Sequence, residues 1–318
     1  MPNLTWRYAD TFEYMAHTRA GLPPVMVCVA CNGGIQGKES HDGLPETPDE
    51  IADSVLAAYE AGASMVHVHA RDARDFTRGA RRVDEWLEVN GKIRARCPDV
   101  VINNTTGGDM TMSMEERLSC LEAKPDVASL NLTPDMSRFT LKARMPPLPH
   151  PRPEAVVDAC IPFTYGLVEA FAAEMKRRGI KPEMETYHSG GVWVMRDLIE
   201  RGLVDPPYLV QTVMGSQTSS YPTPEHVINL LRELPDNAVW LCSGIGPFQL
   251  PLTTFALLMG GHVRVGLEDN LYYGRGRKLV DNAEPVRRVV RIAGELNRRV
   301  ATCAETRAML GLPMASAR

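Results

Sequence analysis

No stretch of this 318-residue chain approaches the roughly 20 consecutive apolar residues that span a bilayer. The opening Met1-Pro2-Asn3-Leu4-Thr5-Trp6-Arg7 lacks the apolar centre of a secretion signal. Both absences point to a soluble, cytoplasmic protein with no membrane partner. An excess of positive charge is also missing. Thirty-five Lys and Arg against 39 Asp and Glu give a formal charge of −4 and a pI near 6.1, so nucleic acid is not an expected partner. The cysteines, seven and scattered, do not form an even framework, which fits a reducing compartment. Cys28-Val29-Ala30-Cys31 has CxxC spacing but sits in the apolar run from Val25 to Cys31. Residues three apart on a strand face opposite sides, so these two read as small core hydrophobes. No GxGxxG turn follows the first apolar run, since Asn32-Gly33-Gly34-Ile35-Gln36-Gly37 departs from it. That weighs against an open, doubly wound nucleotide-binding sheet. Low-complexity tracts and domain linkers are absent as well.

What is present is alternation. Strand-length apolar runs cover 25–32, 64–70, 99–106, 126–132, 181–187, 208–215, 238–245 and 262–269. Helix-period stretches separate them at 47–61, 153–179, 190–202, 223–234 and 282–300. Thr47-Pro48-Asp49-Glu50 reads as a helix start: a capping hydroxyl, proline in the first turn, then acids. Eight such units predict right-handed βαβ crossovers and a closed (β/α)₈ TIM barrel in one domain of α/β class. The expected organisation is an N-terminal extension over 1–24, the barrel over 25–300, and a C-terminal helix and tail over 301–318. A Pro-rich loop covers 145–153.

Met65-Val66-His67-Val68-His69 then stands out. Side chains alternate across a strand, so His67 and His69 share one face. Two imidazoles side by side on a rigid element are half of a divalent-metal site. The last run reads His262-Val263-Arg264-Val265-Gly266-Leu267-Glu268-Asp269-Asn270. Alternation places Val263, Val265 and Leu267 outward, and Arg264, Gly266 and Glu268 inward. A charge inside a barrel must be paired or bind a metal. His67, His69 and Glu268 therefore make a candidate catalytic zinc site with an open position. The competing reading of Glu268 is a salt bridge to Arg264, which a straight strand would strain at four residues' separation. Polar groups also end other strands: Asn103 to Gly108, Ser129 and Asn131, and Glu183 and Glu185. Active sites of such barrels lie at the strand C-termini. Ser189 reads as a cap for the following helix.

Taken in order from residue 25 to 312, these motifs resemble the β-keto acid cleavage enzymes. They are Leu44-Pro45 with Thr47-Pro48, His67-Val68-His69-Ala70-Arg71-Asp72, Thr105-Thr106-Gly107-Gly108, Ala128-Ser129-Leu130-Asn131, Pro182-Glu183-Met184-Glu185, Gly244-Ile245-Gly246, and Gly260 through Asn270. The resemblance implies a zinc ion on His67, His69 and Glu268. It also implies condensation of a β-keto acid with acetyl-CoA to give acetoacetate and a new acyl-CoA, an acyltransferase activity of Claisen type. Asp269, paired with Arg264, would be the base. Thr105, Ser129 and Glu185 would line the substrate site, and a homo-oligomer, tetramer or dimer, is implied. Ile35 stands where the aminohexanoate-cleaving member has a glutamate for its substrate's amine, so this chain is expected to take a keto acid with a neutral or apolar tail. His188 also differs and is a candidate contact. Nothing identifies a CoA site. Arg275, Arg277 and Lys278, or Lys142 and Arg144, are candidate phosphate contacts that also read as a solvated basic face. The rival reading is a zinc hydrolase of the amidohydrolase kind, whose HxH pair sits on strand one and whose later strands add histidines. Here the pair lies on strand two, and 208–215 has no histidine.

Overall fold

The runs rich in Val, Ile, Leu and Met form short parallel strands, as β-branched and apolar residues do on a pleated, buried surface. In the computed structural model, which describes residues 11–108 and 111–315, they are β1 (Val27–Ala30), β2 (Met65–Val68), β3 (Val101–Asn104) and β4 (Val127–Asn131). The second half comprises β5 (Lys181–Thr186), β6 (Tyr208–Met214), β7 (Ala238–Gly244) and β8 (His262–Val265). Each strand pairs in parallel with the next, and β8 returns to β1. The closed (β/α)₈ barrel is the fold. Helices α1 (Pro48–Glu60), α2 (Val83–Arg96), α3 (Met114–Leu118), α4 (Tyr165–Arg178), α5 (Gly190–Glu200), α6 (Pro224–Glu233), α7 (Gln249–Leu258) and α8 (Ala283–Glu295) follow the strands in turn. A helix over Thr11–Ala20 precedes the barrel. The rest of the expected extension, residues 1–10, and residues 316–318 of the tail lie outside the described residues. Among the described residues no helix is long and apolar enough to cross a membrane.

The α1 start behaves as its residues dictate. Thr47 accepts the Glu50 N–H, the Glu50 carboxylate accepts the Thr47 N–H at 3.1 Å, and Ile51, Ala52, Val55 and Ala58 are buried against the barrel. Such a reciprocal cap contributes about 1 kcal/mol. Cys28 and Cys31 fall in different apolar clusters, inside and outside the barrel wall. They are core hydrophobes, as the opposite faces of a strand require.

Inside the barrel the side chains change character along each strand. Met65, Val101, Val127, Leu209 and Leu241 form an apolar base with Met26 and Cys28. Leu310 of the C-terminal helix (Cys303–Leu310) plugs that base from below. Arg307 anchors the plug, donating to both Asp126 carboxylate oxygens at 3.0 and 3.1 Å. Two residues further along the same strands, on the same inward face, stand His67, Asn103, Ser129, Gln211 and Ser243, all buried. The barrel is thus apolar and sealed at one end, polar at the other.

Two expectations need correction. Residues 153–179 are not one helical segment. Ala155–Ile161 instead pairs antiparallel with Asp135–Leu141, and α4 begins only at Tyr165, capped by Thr164. The Ala-Val-Val-Asp-Ala-Cys-Ile run alternates in burial, which suits a strand, and the prolines before it withhold the donors that a helix needs. The final strand also stops at Val265 rather than 269. At Gly266 the backbone takes φ +139°, a conformation that side chains other than glycine's rarely allow. A Cβ there would lie 2.1 Å from the Ala30 carbonyl oxygen. Leu267 is consequently not in line with Val263 and Val265 but packs on Leu44 and Leu279.

Candidate active site

The bend at Gly266 folds the chain back over the barrel mouth and delivers Glu268 to His67 of β2 and to His69 one residue beyond its end. His67 Nε2 and His69 Nε2 stand 3.1 Å apart. Glu268 Oε1 lies 3.3 Å from the second and 3.7 Å from the first. Among the described residues these three are the group of ligand atoms close enough to hold a metal. A tetrahedral zinc with bonds of about 2.0–2.1 Å keeps its ligands about 3.3–3.4 Å apart, so the observed triangle fits a small dication. His67 Nδ1 and Glu268 Oε2 are buried with no hydrogen-bond partner. Burial, helped by the Arg264 charge, pushes His67 well below its ordinary value, and its neutral nitrogens keep lone pairs. Burial alone would raise Glu268, but Arg264 and the imidazoles outweigh it and hold the carboxyl well below its usual range.

Arg264 is the hub of the mouth. Its Nε donates to Asp269 Oδ2 at 2.9 Å and its Nη2 to Asp269 Oδ1 at 2.8 Å, a two-pronged grip. The same Nη2 donates to Glu268 Oε1 at 2.7 Å. The Arg264–Glu268 contact expected to be strained is therefore made, because the chain turns at Gly266 and is not a straight strand. Ser243 Oγ adds a third donor to Asp269 at 3.2 Å. Burial nonetheless raises Asp269 above the ordinary value, against the pull of Arg264. Across the mouth Glu185 accepts from Gln211 Nε2 at 3.0 Å and lies 3.6 Å from Arg264 Nη1. Burial, then the Glu183 charge, pushes it up to about 8.

A cavity of ≈ 580 Å³ opens over these groups, lined by His67, His69, Arg264, Glu268, Asp269 and Glu185 among others. Thr105, Ile35 and Asn131 also line it. Thr105 Oγ1 accepts the Gly107 N–H at 3.0 Å, and Ile35 is 54 % exposed at the rim. Ser129 lies deeper. Its hydroxyl accepts the Thr106 N–H at 3.0 Å, and it is not among the lining residues. His188 is turned to the helix start, its Nδ1 accepting from Gly190 N at 3.1 Å. It caps α5 in place of Ser189, whose side chain makes no cap bond.

Sequence reasoning missed the hairpin 135–161, whose Asp135, Ser137, Phe139, Leu141 and Ile161 form one wall of the cavity. Its signal was the period-two alternation in both arms. Gln211 and Ser243 were also missed. Their signal was position, two residues beyond an apolar inward residue. Arg144 is no phosphate contact: it is fully buried, donating to both Glu46 oxygens at 2.7 and 2.8 Å and to Glu39 at 2.7 Å.

Comparison with known proteins converges on one group. The family model of the beta-keto acid cleavage enzymes matches residues 24–312. The 3-keto-5-aminohexanoate cleavage enzyme of Fusobacterium nucleatum is 32% identical over 292 residues, covering 92% of this chain and 99% of that protein. The 3-oxoadipate:acetyl-CoA acetyltransferase of Cupriavidus necator is 32% identical over 294 residues, covering 91% and 95%. Among solved structures, the ternary complex of ObcA with C4-CoA adduct and oxalate superposes with a TM-score of 0.66 at 21% identity, over 85% of this chain and 68% of that one. At that identity the likeness shows a shared barrel fold. No additional histidine joins the triad among the described residues, unlike the hydrolase pattern. With its model matching residues 24–312 and two relatives matched nearly end to end, this chain belongs to the β-keto acid cleavage enzyme family.

Proposed function

We propose that this chain is a divalent-metal-dependent acyltransferase that condenses a β-keto acid with acetyl-CoA, releasing acetoacetate and a new acyl-CoA. The observation that carries the reading is the meeting of His67, His69 and Glu268 beside an Asp269 gripped by Arg264, in a chain whose relatives include acetyl-CoA-dependent transferases by name. The two-nitrogen, one-carboxylate donor set suits zinc. A bound dication supplies Lewis acidity, stabilising negative charge that develops on oxygen as the substrate's C2 loses its proton.

The chain's own residues do the rest. Asp269 takes the C2 proton. Arg264 and Ser243 fix its direction, and burial strengthens it as a base. The carbon so exposed attacks the acetyl thioester carbonyl and the CoA thiolate leaves. That thiolate then attacks the original keto carbon, and the bond between it and C2 breaks. Acetoacetate departs with the acetyl group, and the proton held on Asp269 returns to it. Thr105 and Glu185 would serve the carboxylate end, while Ser129, beneath the cavity, would act only by holding the Thr106 backbone. Glu185, near neutral by burial, would donate rather than repel.

A second cavity of ≈ 220 Å³ adjoins the triad through His69 and Ile35. Ala70, Ala80, Trp86, Leu141 and Val157 line it together with the charged Arg78, Arg117 and Glu116, the last paired with Arg81 at 3.1 Å. Its apolar side suits the keto acid with a neutral or apolar tail that Ile35 implies. Seven free cysteines, six of them buried and Cys160 exposed, suit the cytoplasm. Side chains such as Trp193, 78 % exposed, are candidates for burial in a homo-oligomer.

The test is acetoacetate release from a panel of β-keto acids by zinc-loaded protein with acetyl-CoA. Release that needs both acetyl-CoA and metal is expected. Silence across the panel, or turnover of amides or esters without CoA, would refute the reading. His67→Ala and His69→Ala should lose the metal while still folding. Asp269→Asn should keep it and lose about 10²–10⁴ in rate. C2 hydrogen exchange with solvent at the wild-type rate in Asp269→Asn would remove that residue as the base.

A further inference from the structure

Between Asn270 and Arg291 stand six cations (Arg275, Arg277, Lys278, Arg287, Arg288, Arg291) and only two acids, in a chain whose formal charge is −4. The segment begins one residue after Asp269. It contains a small hairpin, Tyr272–Gly274 paired with Arg277–Lys278, so it sits on the loop after β8 at the polar end of the barrel. Three guanidinium groups converge on one ring. Arg277 and Arg288 lie 4.1 and 3.9 Å from the Tyr273 centroid, and Arg291 Nη2 donates to the Tyr273 hydroxyl at 3.2 Å.

The two acids do not neutralise this group. Glu284 pairs with Arg277, and Asp281 with Arg287 at 3.4 Å. Among the described residues no carboxylate pairs with Arg275, Lys278, Arg288 or Arg291. Lys278 donates to the Ser40 carbonyl at 3.0 Å and Arg288 to the Tyr273 carbonyl at 2.6 Å, both neutral oxygens. Each exposed cation–π contact returns only about 0.5–1 kcal/mol, and gathered like charges repel. An anion relieves that repulsion, and planar guanidinium groups match phosphate oxygens two at a time. A positive field is felt by the ring: the Arg291 hydrogen bond, then the Arg288 charge, draw the Tyr273 phenol below its ordinary value. Bracing the hairpin accounts for Arg277, Arg288 and one donor of Arg291. It does not account for Arg275, exposed and without a hydrogen bond among the described residues.

We infer that this rim platform, centred on Tyr273 and carrying Arg275, Lys278 and Arg291, binds the phosphorylated nucleotide end of the acyl thioester whose acyl end reaches the cavity below. The inference rests on the transferase reading for the identity of the thioester. Of the other basic pair, Arg144 is excluded because it is buried in ion pairs, which leaves Lys142 as a single exposed cation.

The test compares the full-length protein with its Arg275→Gln, Lys278→Gln, Arg291→Gln triple variant. Calorimetry with adenosine 3′,5′-bisphosphate reads the platform without turnover. Wild type should bind it, and the variant about tenfold more weakly, since losing one charge-assisted hydrogen bond already costs that much. KM for acetyl-CoA should rise about tenfold, with the loss on KM rather than kcat. KM for acetyl-pantetheine, which carries no nucleotide, should move less than twofold. Bisphosphate binding that is equal in both proteins, or absent from both, overturns the inference. So does inorganic phosphate binding as tightly as the bisphosphate, which would make this a free-phosphate site. Should the triple variant unfold, Arg275→Gln alone, at a side chain that makes no hydrogen bond among the described residues, should weaken bisphosphate binding about threefold. If the protein turns over no β-keto acid, the transferase reading falls while the bisphosphate result still decides the platform.

Discussion

Two glycines with opposite surroundings test the account of how the site is assembled. At Gly266 the backbone holds φ +139°, and an added Cβ would stand 2.1 Å from the Ala30 carbonyl oxygen. Backbone strain of that kind costs about 1–3 kcal/mol. Forcing a methyl into a filled space costs about 1–3 kcal/mol more. Gly266→Ala should therefore destabilise by about 2–6 kcal/mol. It should also move the segment that the Glu268 N–H holds on Ala30 O at 3.2 Å and that Asp269 O holds on Gly246 N at 2.7 Å. Metal binding should suffer with stability. Gly91 is the contrast: exposed within α2, with no atom within 4 Å of the position a Cβ would take. Gly91→Ala should stabilise by about 0.5–1 kcal/mol, because the backbone loses less freedom on folding. Urea unfolding of both variants reads the signs, and bound-metal stoichiometry reads the site. A Gly266→Ala protein within about 0.5 kcal/mol of wild type and fully metal-loaded would refute the claim that this bend places Glu268.

His262, buried and accepting the Met26 N–H on Nδ1 at 3.0 Å, is held down to about 3 by burial and then by the Arg298 charge. Its folded value lies below the unfolded one, so the stability it contributes is full above about pH 6.5 and is lost as pH falls toward 3. At pH 5 the loss is about 2 kcal/mol, from 1.5 pH units at about 1.4 kcal/mol each. The pH 7.5 to 5 difference in urea midpoint should shrink by that amount in His262→Gln; an unchanged difference would contradict it. Arg144→Ala strands the buried Glu46 and should cost about 3–5 kcal/mol, while Arg144→Met with Glu46→Leu should recover most of it. A loss below about 1 kcal/mol for the single variant would show that the ion pair does not hold the loop after β1.

The barrel was legible because each βα unit announces itself locally, through apolar runs, the Thr47 cap and the polar strand ends. His67 and His69 were legible for the same reason, since their shared face follows from a spacing of two. Glu268 was found by the right expectation and the wrong path. Alternation was carried through Gly266, yet the strand stops at Val265 and the turn brings the carboxylate back onto Arg264. The hairpin over the mouth was hidden because its pairing joins Leu141 to Ala155 and Asp135 to Ile161, contacts that no local period encodes. Gln211 and Ser243 were hidden by their neighbours, being single polar residues within apolar runs.

The charges at the mouth bear on the proposed dication. Arg264 pairs with or lies beside Glu185, Glu268 and Asp269, near a fourth carboxyl, Glu183; Glu268 is half-buried and the others buried, and the buried Arg71 adds a more distant positive charge. Four anions on one guanidinium would be prohibitive in a barrel interior. Burial relieves part of the excess. It lifts Glu183 to about 7 and Glu185 to about 8, so both tend toward the neutral acid near neutral pH. Glu268 and Asp269 then share Arg264, which pairs with both. A divalent cation on the triad would offset the negative charge that Arg264 leaves. A β-keto acid, which enters as a monoanion, is then drawn to the mouth, while a neutral amide or ester gains nothing from the same field. On the proposed metal-dependent reading, this field is a reason for an anionic keto acid rather than a neutral hydrolase substrate.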